Sequence, residues 1–169
     1  MTFRQNSVDS GLYEFRNDDR QITRISRGLD STRYSDIVLG SCEFAKSGCT
    51  EFSFRITQRS SGSFIFIGAA IEPTPRKSLL NAVGWCLDLT DNQLYARGAA
   101  YFKPHSRRVR SQAVQVVTVR VDVARKQIVY VVDGVPAGPP HTMNISDADL
   151  LRLRPAVQII AAGDSVEIA

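Results

Sequence analysis

The stretch from Val116 to Gly138, VVTVRVDVARKQIVYVVDGVPAG, constrains the fold more than any other part of the chain. Val117, Val119, Val121 and Val123 alternate with Thr118, Arg120 and Asp122. A period of two sends the valines to one face and the polar residues to the other, the pattern of a half-buried antiparallel strand. The turn-prone ARKQ follows, then a second β-branched and aromatic run, Ile128 to Val132, closed by Asp133-Gly134. Glycine takes the positive φ of a tight turn without a steric penalty. Two paired strands with a sharp exit are expected, and with them a sheet that buries one face.

The remaining segments carry the same punctuation. Short apolar pieces in the first 35 residues, Gly11 to Phe15 and Ile22 to Ile25, read as one or two edge strands with long loops. Asp36 to Phe44 reads as a strand interrupted at Gly40, and Thr50 to Thr57 alternates Phe52, Phe54 and Ile56 against Glu51, Ser53 and Arg55. The polar hairpin Gln58 to Ser63 leads into FIFIGAAI, Phe64 to Ile71, apolar on both faces and therefore central. Glu72 to Asn81, with Pro73 and Pro75, is a long loop, and Val83 to Leu89 is a strand holding Trp85. Ser146 and Asp149 form a capping-box pattern before a helical turn from Asp147 to Leu153. Pro155 to Ile160 and Ser165 to Ile168 read as a last strand pair. Many short strands and no sustained helical period predict an all-β, antiparallel two-sheet β-sandwich with at most one or two short helical turns.

Length and composition agree with one soluble domain: 169 residues, 43% hydrophobic and 22% charged. No apolar run approaches the ~20 residues that cross a bilayer, and the N-terminus lacks the apolar core of a signal peptide. An intracellular, cytoplasmic location is the expectation. Cys42, Cys49 and Cys86 lack a CxxC spacing and read as reduced, mostly buried thiols. The formal charge of +4 is concentrated: from Asn92 to Val121 there are six cations and no acid. One local positive patch follows.

From about Gly48 onward the order of segments resembles a SPRY domain. GCTEFSFRI is similar to that family's opening GxxYWEVEI strand, with Phe52 where tryptophan is usual. FIFIGAAI resembles its xxxGVA strand, and GWCLDLTDNQLYARG its GWxLxxxxxLYxxG. VRVDVARKQIVYVVDGVPAG resembles LLDxxxGTLSFYxNGxxLG, and LRPAVQIIAAGDSVEI resembles LYPAVSLxxxGxxVEI. Val114 to Thr118 departs from the family's GDVIG, lacking both glycines and the acid. The resemblance implies a single SPRY-like domain over 1–169, with N-terminal strands and loops in 1–47 and the SPRY-like core in 48–169. It implies a concanavalin-like topology and non-catalytic protein recognition through loops at one edge of the sandwich.

No catalytic or metal constellation assembles, so no enzyme activity, cofactor or metal is expected. His105 and His141 both sit beside prolines without a ligand partner at metal spacing. Asp122 with Asp88 and Asp91 reads as solvated or ion-paired carboxylates, and Trp85, Phe52, Phe54, Phe64 and Phe66 read as core. The resemblance places three loops at the recognition edge: Arg24, Arg27, Arg33 and Tyr34 on the first, Arg76 and Lys77 on the second, Ala161, Ala162 and Gly163 on the third. These are the partner-binding candidates, with a protein partner, possible in the form of an acidic peptide, as the expected ligand. Some peptide-binding relatives carry tryptophan where Ala161 and Ala162 stand. The basic loop from Arg97 to Arg110, with Arg97, Tyr101, Lys103, Arg107, Arg108 and Arg110, suits RNA, an acidic protein segment, or plain solvation. Lectin-like sugar binding is a further alternative that rests on fold analogy alone.

Overall fold

The computed structural model describes residues 1–5, 12–25, 36–44, 48–60, 63–75, 78–91, 93–103 and 116–169. In chain order the strands are β1 (Tyr13–Arg16), β2 (Gln21–Arg24), β3 (Val38–Leu39), β4 (Cys49–Gln58) and β5 (Ile65–Ile71). A helical turn, α1 (Leu80–Val83), precedes β6 (Trp85–Asp88), β7 (Gln93–Ala96) and β8 (Ala99–Phe102). Then come β9 (Val116–Asp122), β10 (Gln127–Val132), β11 (Val135–Pro136), β12 (His141–Thr142), the turn α2 (Asp147–Leu150), β13 (Leu153–Ile159) and β14 (Ser165–Ile168). One antiparallel sheet runs β1-β2-β14-β4-β9-β10-β11, with β12 also on β10, and the other runs β3-β13-β5-β6-β7-β8. None of the described helices is long and apolar enough to cross a membrane.

The β9–β10 hairpin pairs from Asp122↔Gln127 to Val132↔Val117, and its alternation is obeyed residue by residue. Val117, Val119 and Val121 are fully buried, as are Ile128 and Tyr130 from the facing strand. The outward residues pair across strands: Ser53 with Thr118 at 2.7 Å, and Glu51 with Arg120 at 2.8 Å. Asp133 and Gly134 both have positive φ, 47° and 80°, and connect β10 to β11 in the two-residue turn that Asp-Gly favours.

The second sheet buries both faces, which is why β5 reads as apolar throughout. The register sets Val38, Val157, Ile67, Leu87 and Leu94 in one row across five strands, facing the first sheet. The next row, Leu39, Ala156, Gly68, Cys86 and Tyr95, faces outward. There Ile37, Leu39, Phe66, Ala70, Leu80, Cys86 and Ala156 form a second apolar cluster. Buried Gln158 fastens α1 over it, accepting from Leu80 N at 2.7 Å and donating to Ser78 O at 2.8 Å. Glycine is required at position 68, because a Cβ there would lie 1.9 Å from Trp85 O.

Several sequence expectations need correction. The segment read as a strand from Val83 begins with α1, and only Trp85–Asp88 is extended. The last two strands do not pair: β13 lies in the second sheet beside β5, and β14 in the first between β2 and β4. The piece from Asp36 to Phe44 contributes only Val38–Leu39. β2 is no edge strand, since β1 covers it. The basic loop starts later than expected, because Ala99–Phe102 is a strand and Tyr101 and Phe102 are half-buried in it. Phe64, expected in the core, is 44% exposed at the entrance to β5. Of the thiols only Cys86 is buried, whereas Cys49 is exposed and Cys42 intermediate.

Candidate recognition site at one end of the sandwich

One end of the sandwich gathers the exits of β2, β4, β6 and β13 and the entrances of β5 and β14. The turn from Ala161 to Asp164 is tied into it by backbone: Gly163 N donates to Arg24 O at 2.6 Å and Arg24 N donates to Asp164 O at 3.0 Å. Gly163 has φ 90°, which an L side chain rarely adopts. Asp164, fully buried, is the clasp. Its carboxylate accepts from Ser60 N at 2.6 Å and from the Ser63 hydroxyl. Thr90 completes the seam, its hydroxyl donating to Ser63 O at 2.7 Å and its N–H to the Asp88 carboxylate at 2.8 Å.

Two arginines sit in this frame. Arg24 ends β2 on the same buried face as Ile22. It is 5% exposed, and its guanidinium lies over the Tyr13 ring at 5.2 Å. Its Nε and Nη1 are buried and have no hydrogen-bond partner among the described residues. Arg59 donates through Nη2 to Leu89 O at 2.7 Å, while its Nε is buried without a partner. Burial pulls the Arg59 guanidinium below its ordinary value, against the carboxylates of Asp164 and Asp88, which push it up. Asp88 is itself raised, first by burial and secondarily by Asp91, against the hydrogen bonds from Thr90. Of the three exposed large hydrophobic residues among those described, two are here: Ile25 follows Arg24 directly, and Phe64 accepts Ile160 N through its carbonyl at 3.0 Å.

Of the candidates expected at the recognition edge, the fold brings together Arg24, Ala161, Ala162 and Gly163, the last three half-buried. Arg24 differs from the expectation of a loop cation in being a buried strand end. Arg27, Arg33, Tyr34, Arg76 and Lys77 lie outside the described residues, as do Arg107, Arg108 and Arg110 of the basic patch. Arg97 and Lys103 are exposed, and Tyr101 stacks on His141 at 4.1 Å. Arg97 lies at the Trp85 end of β6, whereas β8 runs back from it, so that Lys103 follows Phe102 on the Asp88 side. Asp122 caps the β9–β10 turn, accepting Arg125 N at 2.9 Å. Sequence reasoning missed Arg59, Ser60, Ser63, Phe64 and Asp164. A Gln-Arg-Ser-Ser-Gly-Ser hairpin signals only a turn, and nothing local says that β13's exit folds onto it.

No protein-family model matches the chain, and no curated protein matches it in sequence. Solved structures match its fold. The SPRY domain of human HERC1 superposes with a TM-score of 0.70 at 18% identity, covering 99% of this chain and 96% of that one. The PSpry domain of TRIM65 gives 0.72 at 16% identity, covering 99% and 90%. Stonustoxin gives 0.70 at 10% identity over 99% of this chain and 26% of its own. With the strand order and the two-sheet layering above, the chain has the fold of a SPRY domain.

Proposed function

We propose that this chain is a non-catalytic protein-recognition module that captures a peptide or loop of a partner protein at the Arg24 end of the sandwich. The observation that carries this reading is Arg24 itself. A guanidinium taken out of water with two N–H groups unpaired is costly unless an acceptor arrives. A partner carboxylate or peptide carbonyl supplies that acceptor and makes a sheltered, charge-assisted hydrogen bond of ~1.5–3 kcal/mol. Ile25 and Phe64 add apolar contact beside it, the mixture of arginine and hydrophobic anchor found at interface hot spots. Two or three such contacts bring affinity to the micromolar range, about 8 kcal/mol. Ala161 and Ala162 stand where some relatives place tryptophan, so the ligand differs from theirs.

The test is a native affinity pulldown with the intact chain, run in parallel with RNase. A discrete protein recovered in both arms, and lost with Arg24→Met, is the expected result. Recovery that vanishes with RNase favours the competing reading, RNA association through residues 97–110. Undiminished capture by Arg24→Met removes Arg24 from the site.

A further inference from the structure

The turn between β7 and β8 holds a second cationic feature, at the opposite end of β6 from Asp88. Arg97 and Gly98 both have positive φ, 46° and 94°. Glycine adopts this freely, whereas an arginine there carries a strain of ~1–2 kcal/mol. Two backbone bonds hold the turn: Arg97 N donates to Gly84 O and Gly98 N to Asn81 O, both at 2.7 Å. The guanidinium is thereby set over the Trp85 ring, 5.9 Å from its centroid. Among the described residues it has no acidic partner. Beside it opens a cavity of about 420 Å³ lined by Trp85, Ala96, Arg97, His141, Thr142 and Asn144. The rim is fixed, since Thr142 pairs with Gln127 on β10 and the His141 ring stacks on Tyr101.

We propose that this cavity is a second binding site, which takes the carboxylate of an acidic side chain from a partner protein. Charge complementarity names the occupant. No lining residue is acidic among the described residues, and the sequence from Asn92 to Val121 carries six cations and no acid. The Arg97 fork matches a carboxylate in two-point geometry, and the Asn144 amide and Thr142 hydroxyl add neutral donors. The volume holds one or two side chains. Single-stranded nucleic acid needs open aromatic faces on which bases stack, but Trp85 is only 1% exposed, and His141 already stacks on Tyr101.

The chain has one tryptophan, Trp85, and it lines this cavity, so its emission responds to an occupant there. The experiment titrates the intact chain with an acetylated hexaglutamate peptide, with inorganic phosphate and an oligouridylate RNA as separate arms. The expected result is a saturable change in Trp85 emission with the peptide. Arg97→Gly weakens it by about tenfold or more, the loss of one charge-assisted hydrogen bond. Glycine suits the turn's positive φ, so this variant keeps its melting temperature. The proposal is overturned by an absent or unsaturable response, by Arg97→Gly binding as tightly as the parent, or by phosphate or RNA binding more tightly than the peptide.

Discussion

At the scale of single residues, two buried charges lend themselves to measurement. Replacing an uncompensated buried charge by an apolar group of similar volume is often neutral or stabilising. Arg24→Met is therefore expected to raise the melting temperature by a few degrees, at ~2–4 °C per kcal/mol for a chain this size. The same variant is expected to lose partner capture in the pulldown. A purely structural arginine would lower the melting temperature instead, so thermal denaturation beside the pulldown separates the two roles. Asp88 gives a pH signature. Burial raises its folded-state value above the ordinary 3.8, so the unfolded chain releases the proton first. The contribution of the neutral carboxyl is full below 3.8 and is lost as pH rises through the higher folded value. Asp88→Asn keeps an oxygen for Thr90 N, so denaturant unfolding should find it more stable than the parent at pH 7. The two proteins should converge near pH 4, and a constant difference across that range would refute the assignment.

Elements depend on close approaches that propensity does not reveal. Position 68 is the tightest: a Cβ meets Trp85 O at 1.9 Å and Cys86 Cα at 2.7 Å, both backbone atoms of the neighbouring strand. Gly68→Ala must spread β5 from β6 or fail to fold. A loss above about 3 kcal/mol is expected from overpacking at a site unable to relax, read as a collapsed denaturation midpoint. β13 is anchored differently. Arg154, 6% exposed, pairs with Glu43 at 2.9 Å and Glu72 at 3.3 Å, and Glu72 also pairs with Arg4. Arg154→Met should cost about 2 kcal/mol, below the usual loss on breaking a buried pair because Glu43 remains solvated. An unchanged midpoint would show that the network contributes nothing.

For the whole molecule, the division into 1–47 and 48–169 is a matter of sequence resemblance, and the sheets ignore it. β2 pairs β14 and β3 pairs β13, so the first 47 residues supply a neighbour to the two last strands. Tyr13, Ile22 and Val38 are 0–2% exposed within the core. We propose that the domain spans 1–169 as one folding unit. A fragment of residues 48–169, which leaves β14 and β13 without their β2 and β3 neighbours and opens the core, is expected to aggregate. A soluble fragment with native near-ultraviolet circular dichroism would contradict this.

Periodicity was enough for β4 and β9, because alternation records which face is buried whatever lies opposite, and β-branched and turn residues were enough for β10 and the architecture class. The capping box at Ser146 was equally legible: Ser146 Oγ accepts Asp149 N at 3.1 Å, a bond between residues three apart. The helical turn at Leu80–Val83 was not, because it is held by Gln158, 78 residues away in the chain from Leu80. The separation of β13 from β14 was also hidden, since two short strands joined by a glycine turn look like a hairpin in sequence. Most of all, the proposed recognition end depends on tertiary structure. Only the packing of β2 against the turn at Gly163 takes an ordinary arginine at position 24, removes it from water and leaves its Nε and Nη1 without a partner among the described residues. Sequence records which residues prefer to be buried; burial of one that does not is a property of the assembled sheets.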